Sequence, residues 1–90
     1  MPRFVIERTV PGAGKLSDAQ ICGMAKKSCQ VLSGMKGAVQ WQHSYVTDDK
    51  IFCVYIAPDE AAVRAHAKEG GFPADKVLQV RRIIDPVTSE

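Results

Sequence analysis

Residues 38–57 read AVQWQHSYVTDDKIFCVYIA. Two runs rich in β-branched and aromatic residues flank Asp48-Asp49, which is turn chemistry, so the stretch reads as a β-hairpin. Side chains alternate across a strand, and each run therefore offers one face to a core and one to the outside. In the first run Trp41, His43 and Tyr45 share one parity against Gln40, Gln42 and Ser44. In the second, Phe52, Val54 and Ile56 form the bulkier apolar set and are expected to face the core. That leaves Ile51, Cys53 and Tyr55 on the other face. The direction of the Trp41 set depends on hairpin register, because a slip of one residue inverts it.

Working outward, RFVIERTV at 3–10 alternates and reads as a strand with Phe4 and Ile6 toward the core and Val5 and Glu7 away from it. PGAG at 11–14 is a loop. Ser17, with Gln20 three residues on, forms a capping box that opens a helix. Its buried face is expected to carry Ile21, Cys22, Ala25, Cys29 and Leu32, and Gly34 and Gly37 end it. After the hairpin, Pro58 breaks the chain, and Asp59 and Glu60 suit the start of a second helix. That helix runs to Gly70-Gly71. KVLQVRRIID at 76–85 reads as a last strand ended by Pro86, with VTSE a loose tail.

The order β-α-β-β-α-β over residues 1–90 predicts one α+β domain with a ferredoxin-like arrangement, a four-stranded antiparallel sheet with two helices on one face. The other face is left uncovered. If the register puts Trp41, His43 and Tyr45 on it with Tyr55, that face is too apolar to stay wet, and a homodimer stacked sheet to sheet, a dimeric α+β barrel, is expected. The small size of the chain points the same way.

Bulk properties exclude several classes. The formal net charge is +2 and the basic residues are scattered, which is no nucleic-acid footprint. No apolar stretch approaches a membrane span and no leader pattern is seen, so a protein in the cytoplasm is expected. Three cysteines without a CxxC motif argue against a disulfide framework. Cys22 and Cys29, roughly 10 Å apart along a helix, cannot bridge, and with Cys53 they read first as small buried hydrophobes. PGAGK at 11–15 lacks the length and pattern of a phosphate loop.

His43 and His66 are the only histidines, so any imidazole chemistry uses one or both. Each also reads as a packed, hydrogen-bonded residue. No HxH, HxxxH or HExxH spacing is present, so a metal site needs residues distant in sequence or from two chains. Asp48, Asp49, Asp59, Glu60 and Asp85 are the carboxylates nearest a rim, and each doubles as a turn, cap or strand-end residue.

The stretches PRFVIERTVPGAGKLS, SYVTDDKIFCVYIAPDE, RAHAKEGGFPADKV and RRIIDP together resemble a family of small bacterial proteins labelled as of unknown function. Some of its members are described as nickel-responsive or nickel-binding. The resemblance covers nearly the whole chain. It implies the ferredoxin-like fold and sheet-to-sheet dimer already read from the pattern, and a role in binding or sequestering nickel rather than in catalysis. Ni²⁺ is then the expected ion. His43 and His66 are the expected main ligands, with Asp48, Asp49, Glu60 or Asp85 completing a mixed N,O shell. The alternative is a dimeric small-molecule binder, or a cofactor-free oxygenase or isomerase. Its pocket between sheet and helices would be drawn from Glu7, His43, Tyr45, Cys53, Tyr55 and Arg81.

Overall fold

The computed structural model describes residues 1–89. Strand β1 (Arg3–Thr9) is followed by a turn of 3₁₀ helix at Ala13–Lys15 and by helix α1 (Asp18–Gly34). The hairpin is β2 (Gln40–Val46) and β3 (Lys50–Ile56), then come helix α2 (Glu60–Gly70) and strand β4 (Lys76–Gln79). The sheet order is β2-β3-β1-β4 with every neighbouring pair antiparallel. This is the expected βαββαβ arrangement.

Local chemistry sets the helix ends. Gln20 N–H donates to Ser17 Oγ (3.2 Å) and Ser17 N–H donates to Gln20 Oε1 (2.8 Å), so the capping box of α1 is complete. Ala62 N–H donates to Asp59 Oδ1 (2.8 Å) at the start of α2. Gly71 ends α2 at φ +70°, a left-handed conformation open to glycine without a Cβ penalty.

The β1–β3 register decides which side chains meet the helices. Phe4 lies opposite Tyr55, Ile6 opposite Cys53 and Arg8 opposite Ile51. Partners directly across a sheet share a face. All six are buried, and His66 of α2 packs its ring on Tyr55, so this is the helix-covered face. The expectation for β3 is therefore reversed. Ile51, Cys53 and Tyr55 point into the core, and Phe52, Val54 and Ile56 lie half-buried on the open face. Apolar bulk alone misleads here, because both faces of β3 are apolar and only the pairing with Phe4 and Ile6 selects one.

Strand β2 carries a bulge. Trp41 lies opposite Tyr55 but His43 lies opposite Val54, so Gln42 is an extra residue. The bulge resets the alternation. Trp41 stays on the helix side, where Ser44 and Val46 join it, while His43 and Tyr45 turn to the open face. Trp41 Nε1–H reaches Ser44 Oγ at 2.9 Å, a three-residue contact that an unbulged strand would place on opposite faces.

Two further expectations are corrected. Cys22 and Cys29 are exposed, and Ile21 and Ser28, each one residue earlier, face the sheet with Met24, Ala25 and Leu32. Both pairs are spaced seven apart, so spacing alone cannot choose between stripes about 100° apart. Strand β4 ends at Gln79 rather than at 85, and residues 86–89 form a 3₁₀ turn instead of a loose tail. Pairing of β4 with β1 ends where Phe4 meets Gln79, close to the start of β1.

Candidate functional site

The residues expected to carry chemistry fall on opposite faces of the sheet. On the open face are Glu7, His43 and Tyr45. The His43 and Tyr45 rings stand edge-on with centroids 5.0 Å apart. Glu7 Oε2 lies 3.6 Å from Lys50 Nζ. Val5 and Val54 line a groove there, with His43 and Tyr45 from β2 and Arg82, Ile83 and Ile84 from the segment after β4. Tyr45, Leu78, Ile83 and Ile84 are all well exposed, so the face is broadly apolar and uncovered. Arg81 is exposed in the same segment.

The expected carboxylates do not converge. Asp49 Oδ1 accepts from Gly12 N–H (3.0 Å), and the carbonyls of Asp48 and Asp49 accept from Gly14 and Val10, so the hairpin turn is tied to the 11–14 loop. Glu60 pairs with Arg64 one helical turn on (2.9 Å). Asp85 bonds Thr88 in the terminal turn. Among the described residues, no group of three or more His, Cys, Asp or Glu side chains is placed to hold a metal ion.

The helix-covered face holds a buried polar cluster. Its centre is Arg8, which sequence reasoning missed. Arg8 is 4% exposed and continues the inward parity of Phe4 and Ile6. The pattern Phe4-x-Ile6-x-Arg8 was the available signal: an arginine on a core stripe needs an explanation. The guanidinium donates from Nε to Cys53 Sγ (3.5 Å), from Nη2 to the Tyr55 hydroxyl (3.2 Å) and from Nη1 to the Pro73 carbonyl. Phe72 stacks near it, with the ring centroid 5.6 Å from the guanidinium carbon. Among the described residues, no carboxylate lies within ion-pair distance of it.

His66 completes the cluster from α2. It is fully buried, its Nε2 lies 3.3 Å from Ser28 Oγ of α1, and its Nδ1 has no partner. Burial, and then the positive charge of Arg8, hold its pKa below the usual imidazole value. It is therefore kept neutral, and a cation at this ring is opposed by the same two effects. Burial and the neighbouring Cys53 push the Tyr55 phenol up, against the pull of Arg8. Tyr55 thus stays a neutral hydroxyl that accepts from the guanidinium. Cys53 and Tyr55 belong to this cluster, separated by the sheet from His43, Tyr45 and Glu7.

A four-stranded antiparallel sheet with two helices on one face and an uncovered apolar face on the other defines an α+β protein of ferredoxin-like topology. The sequence model of the family described as nickel responsive protein SCO4226-like matches residues 4–80, and the chain belongs to that family. The crystal structure of SCO4226 from Streptomyces coelicolor A3(2) aligns with a TM-score of 0.77, covering 91% of this chain and 99% of that one. Sequence identity is 16%, so the likeness speaks to the fold alone. No curated protein matches the sequence. No described helix is long and apolar enough to cross a membrane.

Proposed function

We propose that the protein binds nickel, and that its site is assembled between two copies of the chain across the open face of the sheet, with His43 as the imidazole ligand. The observation that carries this reading is the disposition of the two histidines. His66 is sealed beside a cationic Arg8, whereas His43 is exposed on the one broad face that the helices leave bare. Membership in a nickel-responsive family supplies the ion. Imidazole with carboxylate or phenol oxygen suits a borderline divalent ion.

One chain alone does not fit the ion, since a lone imidazole makes a weak site. Two copies stacked through this face contribute two His43 rings, with Glu7 the carboxylate that β1 places on the same side. Arg3 and Arg82 also line the groove, so a cation there needs the Glu7 carboxylates of both copies to offset their charge. Burying Val5, Phe52, Val54, Tyr45 and Leu78 between copies removes the apolar surface that a monomer leaves wet. His66 is a packing residue in this reading, and Asp48, Asp49, Glu60 and Asp85 keep their local roles.

The test is calorimetric titration of the tag-free protein with Ni²⁺, Zn²⁺ and Co²⁺, alongside sedimentation of apo and loaded samples. The expected result is a dimer that binds nickel and loses it in His43→Ala while remaining folded. Unchanged stoichiometry and affinity in His43→Ala would overturn the proposal.

A further inference from the structure

We propose that the cavity between α1 and the sheet is a binding site for a small aliphatic carboxylate, held by Arg8. The cavity, about 90 Å³, is walled by apolar side chains that include Ile21, Met24, Trp41 and Phe72. Its polar wall is Arg8, Tyr55, Cys53, Ser28 and Ser44. This is the usual composition of a small-ligand site: an apolar body with a few polar groups fixing orientation.

The charge balance identifies the ligand class. Arg8 is a permanent cation with only neutral acceptors in reach. A buried charge without a counter-charge is costly and is normally paired. The nearby Asp75 does not supply the pairing. It is exposed, and its carboxylate accepts from Thr9 N–H, the bond that mainly holds its pKa low. A guanidinium has five N–H donors. Three are used by Cys53, Tyr55 and Pro73, which leaves two, one on each terminal nitrogen. Two N–H groups on one guanidinium are what a planar carboxylate accepts. A tetrahedral dianion such as phosphate asks for more donors and a less apolar wall.

Size narrows the class further. A dry cavity of roughly 150 Å³ admits benzene. Six heavy atoms there against about 90 Å³ here scale to roughly four, the size of a two-carbon acid. Acetate has that size, and acetamide is its uncharged counterpart of nearly the same shape.

Trp41 is the single tryptophan and lines the cavity, so its fluorescence reports occupancy. The experiment titrates the unmodified protein with acetate, acetamide and inorganic phosphate at constant ionic strength. Saturable acetate binding, at least tenfold tighter than acetamide or phosphate and lost in Arg8→Met, is the expected result. Equal binding of acid and amide, tighter binding of phosphate, or no saturation with acetate would each overturn the proposal. The comparison of acid with amide needs no variant, so it decides the matter even where Arg8→Met fails to fold.

Discussion

Replacing Tyr55 with phenylalanine removes one oxygen atom and nothing of the ring. In the fold that oxygen accepts from Arg8 Nη2 at 3.2 Å, between residues 4% and 2% exposed. A buried hydrogen bond to a charged group contributes about 1.5–3 kcal/mol. The adjoining cavity lets water replace part of the lost acceptor, so we expect a loss of about 2 kcal/mol, within that range. For a chain of this size each kcal/mol moves Tm by about 4–8 °C, so Tm should fall by roughly 8–16 °C. Urea and thermal unfolding followed by circular dichroism measure both quantities. Arg8→Met and the double variant close the cycle. Once Arg8 is gone the Tyr55 hydroxyl has no charged donor to serve, so the two losses should fall short of additive by about 1 kcal/mol or more. A Tyr55→Phe variant within about 0.5 kcal/mol of the parent, the usual scatter of a neutral change, would refute the idea that this hydroxyl holds the buried guanidinium.

His66 makes stability depend on pH in a definite direction. Its environment is Arg8 from β1, Ser28 from α1, Tyr55 from β3 and Phe72 beyond α2. The folded-state pKa lies below 6.5, so under acid conditions the unfolded chain binds the proton more readily. The contribution of this group is therefore complete above about pH 6.5 and is lost as pH falls through the lower folded value. Urea midpoints should fall from pH 7.5 to pH 5 in the parent and fall less in His66→Gln. Gly70→Ala tests the packing of Phe72. A Cβ at Gly70 would overlap the Phe72 ring at Cε2 and Cδ2, so the ring must move despite the helix-propensity gain of alanine. A net loss of about 1–2 kcal/mol by urea unfolding is expected, with altered Trp41 emission because Phe72 lines the same cavity.

Much of the architecture is legible in the residues. Ser17 with Gln20, Asp59 before an alanine-rich run, and Gly70-Gly71 mark helix ends by chemistry that acts within a few residues, and all of it holds in the fold. Cys22 and Cys29 show where such reading runs out. A long helix with polar and small residues on several sides has more than one plausible stripe, and the sheet selects Ile21 and Ser28. The candidate chemistry is less legible than the fold. Apolar bulk puts Tyr55 and Cys53 on the wrong face, and the partners of Arg8 and Ser28 emerge only in the folded chain. Arg8 meets residues 45, 47 and 65 positions away along the chain, and no local pattern encodes such partners.

The order of strands and helices, and with it the split βαβ topology, is written into the chain because caps, turns and alternation are short-range physics. Which face each side chain serves is set only when the strands pair. One extra residue at Gln42 turns Trp41 inward and His43 outward, and the register of β1 on β3 brings Cys53 and Tyr55 under the helices beside Arg8. Alternation is a local rule, but its phase is set by pairing between strands far apart in the chain. A single bulge or register shift is enough to move an imidazole from one side of the sheet to the other.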